Sequence, residues 1–242
     1  MKVLIACEFS GVVRDAFAKK GHDAWSCDIL PSESWHPIKY SGDLKRCELC
    51  DEPLCEDHSM HFDQDRGSKH FQGDVLEVLD QDWDLMIAHP PCTYLTVTGA
   101  KWFYHPDDKG MPVEERRPHP KFPNRRQQQN DAADFFLALA KSGIPRFCIE
   151  NPVGVMSKRY RKPDQIIQPF QFGHPEPKKT CLWLHNLPPL VATSHVEPDY
   201  ITTKSGKRVP RWFFEPSPSK GRQKSRSVTF QGIADAMADQ WG

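Results

Sequence analysis

The sequence predicts an α/β fold on a doubly wound, mostly parallel sheet. Three observations carry that prediction. The first thirty residues spell strand, helix, strand: Val3–Ala6 is an apolar run of strand length, residues 11–20 are amphipathic, and Ala24–Cys27 is apolar again. Leu85-Met86-Ile87 marks a buried strand over 84–88. A strongly periodic helix over 127–142 runs into a further strand at 146–149. Strands alternating with helices are joined by crossovers, and crossovers make neighbouring strands parallel.

Each element has a local cause. Val12, Val13, Ala16 and Phe17 fall on one face of the first helix, and Gly21 follows as a C-terminal stop. The second strand ends at Asp28. Residues from about 31 to 72 lose apolar periodicity and are rich in Asp, Glu, Cys and His, and periodicity returns at Val75–Leu79. The polar stretch 96–126 is expected to be a long loop. Ala132, Phe135, Phe136, Leu139 and Ala140 share one face of the next helix, with Gly143 behind it. Residues 151–228 are Pro-rich with one apolar run, Cys181–Leu184, and a helix over 229–240 closes the chain.

Composition bounds the function. The 242 residues suit one domain, 1–242, with a small insert over 43–72. Lys+Arg and Asp+Glu are both 32, which argues against a protein held on nucleic acid by bulk charge alone. No apolar run reaches the ~18 residues of a membrane span, and the apolar start is too short for an export signal. The eight cysteines are therefore expected to be free or metal-bound, and the protein cytoplasmic.

Cys47, Cys50, Cys55 and His58 have the types and spacing of a structural zinc site, with His61 and His70 as spare candidates. The segment lacks a core of its own, so metal would supply its folding energy. Four protein ligands close the coordination sphere, which assigns the metal structure rather than catalysis.

Two motifs sit at the carboxyl ends of predicted strands, where doubly wound sheets bind ligands. Ala88-His89-Pro90-Pro91-Cys92-Thr93 follows one strand and Glu150-Asn151-Pro152 ends the next. Thus a thiol nucleophile and a carboxylate able to act as its acid–base partner are expected at one edge. Phe9-Ser10-Gly11 follows the first strand, Asp28 ends the second, and Gly73-Asp74 precedes Val75.

Taken in that order, these pieces resemble the DNA (cytosine-5) methyltransferases, most of all the small phage-type members. The stretch Ile5–Phe17 and the closing Phe230-Gln231-Gly232-Ile233-Ala234 are similar to that group. The resemblance implies a Rossmann-like methyltransferase fold with S-adenosylmethionine as methyl donor and DNA as substrate. It implies that Phe9, Ser10, Gly11 and Pro91 line the cofactor, Asp28 binds its ribose and Asp74 contacts its adenine. It implies Cys92 as nucleophile and Glu150 as the residue holding the base, and, for a phage protein, the host cytoplasm as its place of action. The chain departs from the family at Val13 and Arg14, where further glycines are usual. The family's Gln-x-Arg-x-Arg positions fall on Glu176, Lys178 and Thr180, so one cation remains, at Lys178. The large target-recognition domain is absent, and residues 186–228 stand in its place.

Cations interleaved with aromatics suggest DNA contact. One such stretch holds Lys204, Lys207, Arg208, Arg211, Lys220, Arg222, Lys224 and Arg226 around Trp212, Phe213 and Phe214. Arg208, Arg211, Arg222 and Lys224 are the expected phosphate contacts there. A second holds Arg116, Arg117, Lys121, Arg125 and Arg126. Two alternatives stay open: C5-cytosine modification with a carboxyalkyl or folate one-carbon donor, or on free nucleotides, and an inert zinc-stabilised DNA-binding module. The zinc expectation has a direct check: protein purified without chelator should carry about one zinc per chain by elemental analysis, and none with an intact fold would end it.

Overall fold

The computed structural model describes residues 1–33, 69–214 and 228–242. Its elements run β1 (Lys2–Ala6), α1 (Val12–Lys19), β2 (Asp23–Asp28), β3 (His70–Gln72), β4 (Leu85–Ala88), α2 (Arg125–Ala140), β5 (Phe147–Pro152), α3 (Met156–Arg159), β6 (Gln165–Ile167), β7 (Thr180–His185), β8 (Tyr200–Thr202), β9 (Arg208–Pro210), α4 (Arg211–Phe214) and α5 (Gln231–Trp241). Short 3₁₀ turns occupy the long connections, among them Val75–Val78 and Val97–Trp102.

Alternation along the central strands decides the architecture. Successive strand side chains point to opposite faces. In β1, Val3 and Ile5 join one core while Leu4 and Ala6 join the other; in β4, Leu85 and Ile87 divide from Met86 and Ala88 in the same way. Both faces are therefore apolar and both need a cover. Val13 and Phe17 of α1 and Ile233, Met237 and Trp241 of α5 cover the first face. Ala133, Phe136 and Leu139 of α2 cover the second.

Among the described residues the strands form a seven-stranded sheet of order β3-β2-β1-β4-β5-β7-β6 and a separate β8–β9 hairpin. The ladders β2–β3, β1–β2, β1–β4 and β4–β5 are parallel, and β7 runs antiparallel between β5 and β6. The expected doubly wound, mostly parallel sheet is present.

Three expectations need correction. Residues 70–72, read as the end of the insert, form the edge strand β3 paired with β2, because His70 has buried partners there. The 96–126 segment is not a bare polar loop: Asp108 is buried and accepts three bonds from Arg117 side-chain nitrogens and one from its backbone N–H. Those bonds hold the Asp108 carboxyl down at about 2. Within the Pro-rich 151–228 stretch lie two further sheet strands, β6 and β7, and the β8–β9 hairpin.

Phe136 is fully buried and meets Trp183 edge-on, with ring centroids 5.1 Å apart. Phe136→Ala should cost about 3–5 kcal/mol. Urea unfolding should show the midpoint falling with the slope unchanged; an unmoved midpoint would mean that α2 contributes little to the core.

Candidate active site

The carboxyl ends of β1, β4 and β5 are level. Ala6 pairs with Ala88, and Ala88 with Ile149. From β1 the chain winds outward through β2 and β3; from β4 it winds the other way to β5. The loops leaving β1 and β4 therefore diverge, which opens the crevice in which doubly wound folds bind ligands.

The β1–α1 turn forms one wall. Gly11 caps α1 with φ 73°, a left-handed conformation that glycine adopts without strain. Glu8, which sequence reasoning passed over, folds back onto that helix. Its Oε1 accepts from the Val13 N–H at 2.7 Å and its Oε2 from the Arg14 N–H at 3.2 Å, while the Ser10 hydroxyl donates to Oε1 at 3.2 Å. A helix N-terminus is a ready anion site, and here the protein's own buried carboxylate fills it. Burial raises the Glu8 carboxyl; the pull of His89 and the two amides only partly offset that. Phe9 is buried beside it. Arg14, at a glycine position of the resembled family, is buried and donates to Ser26 Oγ at 3.0 Å and Ser32 Oγ at 3.3 Å.

Asp28 stands half-buried at the end of β2, accepting from the Leu30 N–H at 2.9 Å. Burial lifts its carboxyl above the usual range against the Leu30 amide and His70. Ile29 beside it is 75% exposed, an apolar surface at the crevice edge. Asp74 is exposed and accepts from the Leu76 N–H at 3.0 Å, capping the 3₁₀ turn. Asp28 and Asp74 both act on the Cys7 thiol, which burial drives far upward, so the two carboxylates converge on one side of the crevice. Pro91 is exposed at its other edge.

Cys92 and Glu150 form the second wall with Lys178. Burial raises the Cys92 thiol, Glu150 adds to that rise, and Lys178 opposes it. Burial also works to raise Glu150, but the His89 hydrogen bond, Lys178 and the electrostatic pull of His89 outweigh it and hold the carboxyl below its ordinary value. His89 Nδ1 lies 3.4 Å from Glu150 Oε2. The two loops are laced together: Asn151 Nδ2 donates to Pro90 O at 2.8 Å, the Val155 N–H to Leu95 O at 2.9 Å, and the Val97 N–H to Val153 O at 3.4 Å. At Gly154 a Cβ would stand 2.1 Å from Leu95 O, so only glycine permits that approach.

The expected DNA contacts divide. Lys178 belongs to the Cys92 pocket. Arg208 lies over the Tyr200 ring at 4.4 Å, and Arg211 Nε donates to Asp199 Oδ2 at 2.7 Å. Arg222 and Lys224 lie outside the described residues, as do the zinc candidates Cys47, Cys50, Cys55, His58 and His61. His70 is engaged within the fold: its Nδ1 is 2.8 Å from Ser26 Oγ and its Nε2 3.0 Å from Leu30 O. Of the 116–126 cations, Arg117, Lys121 and Arg126 are exposed. Arg117 is tied to Asp108, and Arg116 Nε donates to Met111 O. Arg125 is buried among the Tyr94, Phe103 and Phe122 rings and donates to Thr93 O at 3.3 Å, which steadies the segment after Cys92.

Glu8, His89 and Asn151 are the site residues missed from sequence. A signal existed for each: an acid just before a helix start, and polar side chains at the carboxyl ends of buried strands.

A thiol raised by burial and a nearby carboxylate reacts slowly at neutral pH, because the thiolate is the nucleophile. Alkylation of Cys92 by iodoacetamide, read by peptide mass, should rise about tenfold per pH unit from 6 to 8 without a plateau. A plateau below pH 8 would mean that the thiol is already ionised.

No family model matches the chain, and no curated protein does. A solved structure of a candidate DNA modification methyltransferase encoded within an E. coli prophage is similar over 75% of this chain and 45% of that one, at 17% identity and a TM-score of 0.37. The chain thus spans under half the length of that protein, and a likeness at this level leaves the reading of the site to its own geometry.

Proposed function

We propose that the protein transfers a methyl group to C5 of cytosine in DNA through a covalent bond between Cys92 and C6 of the base. One observation carries the reading: β4 and β5 are adjacent and parallel, so the loop bearing Cys92 and the strand end bearing Glu150 leave the sheet side by side, tied by the Asn151–Pro90 hydrogen bond, with Lys178 two residues before Thr180, which pairs with Pro152 of β5.

The chemistry needs those three groups. Cytosine C5 is a poor nucleophile. Addition of the Cys92 thiolate at C6 pushes the electron pair of the C5–C6 double bond onto C5, aided by Glu150 at N3. Carbon C5 then takes the methyl group, a base at the site takes the C5 proton, and the returning electron pair re-forms the C5–C6 double bond and expels the thiolate. Lys178 favours the thiolate form and offers a charge to the base or its phosphate. A duplex base cannot reach such a pocket, so the substrate is a flipped or single-stranded cytosine.

The first wall fits S-adenosylmethionine. Glu8 already fills the α1 N-terminus, the place where dinucleotide cofactors seat a pyrophosphate. A cofactor without phosphate meets no conflict there. Phe9, Ser10, Gly11 and Pro91 would border it, Asp28 would take its ribose hydroxyls and Asp74 its adenine. Bound there, it supplies the methyl group as a sulfonium. Arg208, Arg211, Arg222 and Lys224 would contact DNA phosphates, and Cys47, Cys50, Cys55 and His58 would hold a structural zinc.

A second reading, action on free nucleotides or with another one-carbon donor, is favoured by the small size of the β8–β9 hairpin. An inert DNA-binding module is disfavoured, because it has no use for a thiol and a carboxylate laced into one pocket.

DNA containing 5-fluorocytosine distinguishes the readings, since the C5 fluorine cannot leave as a proton and the adduct persists. With S-adenosylmethionine present, the enzyme should form a stable complex on denaturing gels. Cys92→Ser should abolish it, and Glu150→Gln should slow it by about two to four orders of magnitude. Trapping that survives Cys92→Ser would overturn the mechanism. Asp28→Ala should weaken S-adenosylmethionine binding by about 1.5–3 kcal/mol in calorimetry; equal affinity would place the cofactor elsewhere.

A further inference from the structure

We propose that His89 is the positioning residue of this site: it holds the Glu150 carboxylate in orientation through its Nδ1, an assignment that rests on the covalent reading above. The two residues are brought together by register. Ala88 and Ile149 are paired on adjacent parallel strands, so the next residues, His89 and Glu150, stand side by side. Their side chains are 8% and 19% exposed, and Nδ1 lies 3.4 Å from Oε2. That is a long bond, of the kind that tightens when substrate binds.

Three features confine His89 to this task. Its backbone N–H donates to Ala6 O at 2.9 Å, which continues the β1–β4 ladder past the strand end. Pro90 follows it, and a residue before proline is restricted to extended backbone. The ring itself is only 8% exposed, which leaves it little room to turn away. Glu8, whose carboxyl feels the His89 ring, is already bound by the Val13 and Arg14 amides and the Ser10 hydroxyl. Glu8 thus acts on His89 through its field, while the hydrogen bond goes to Glu150. The His89 Nε2 is buried and without a partner, so the site keeps one polar atom in reserve beside the reacting groups.

The titratable groups around Glu150 are then His89 from the β4 edge, Lys178 from the segment before β7, and Cys92 from its own loop. Lys178 supplies charge; His89 supplies direction through its hydrogen bond. Direction matters here, because a misplacement of about 1 Å can cost a hundredfold in rate.

Asparagine places an N–H near the position of Nδ1, whereas glutamine places its amide nearer Nε2. His89→Asn should therefore keep much of the fluorocytosine trapping rate, while His89→Gln and His89→Ala should lower it by up to about a hundredfold, with DNA binding unchanged. Independently of DNA, carboxyl ¹³C NMR of the whole protein, with Glu150 assigned by comparison with Glu150→Gln, should show its titration midpoint rising by about one unit in His89→Ala. The acid limb of the trapping profile should move with it. If His89→Ala does not fold, the Asn-against-Gln comparison carries the test. Equal trapping by the Asn and Gln variants, or a Glu150 midpoint indifferent to His89→Ala and His89→Gln, would overturn the proposal while leaving C5 chemistry standing. A midpoint that moves in a protein that never traps fluorocytosine would overturn the C5 reading and leave the His89–Glu150 pair intact.

Discussion

The level pairing of β1, β4 and β5 is the constraint on which the site depends. Parallel strands have evenly spaced bonds and no side open to water, so a shift of one residue would turn apolar side chains out of both cores at once. Leu4, Met86 and Ile149 on one face and Val3, Leu85 and Cys148 on the other lock that register. Once Ala6, Ala88 and Ile149 are aligned, the three loops that follow emerge at one height. A thiol from one and a carboxylate from another then share a pocket although they are far apart in sequence.

The register sets height, and backbone bonds set the angle. Asn151 to Pro90 and Val155 to Leu95 tie the β5 loop to the β4 loop. Arg125, boxed by three rings, holds the chain just beyond Cys92 at Thr93. Pro90 and Pro91 remove torsional freedom between strand and thiol. These bonds hold the two loops in a fixed relation.

Charge is arranged with equal care. Glu8 occupies the electropositive end of α1, accepting from the Val13 and Arg14 amides. Across the crevice, Glu150 is kept acidic by His89 and Lys178, while the same carboxylate keeps Cys92 protonated at rest.

Much of this was legible in the residues themselves. Short-range apolar patterns specified β1, α1, β2, β4 and α2, because burial on both faces of a strand, or on one face of a helix, leaves a periodic trace. Cys92, Glu150 and Asp28 stood out because each directly follows or ends such a run. The partners did not. His89 reaches Glu150, Glu8 reaches the α1 amides, and Arg125 enters an aromatic box only through folding. A histidine beside a strand or an arginine in a polar stretch has the same local pattern whether it meets a carboxylate, a ring or water. The antiparallel place of β7 between β5 and β6 was likewise hidden, since strand order is set by which edge remains unpaired after the parallel core has formed. Local periodicity determined the elements and the loops that carry reactive groups. Which groups touch, and with what charge, was decided by long-range register, because those contacts join residues that only the sheet brings together.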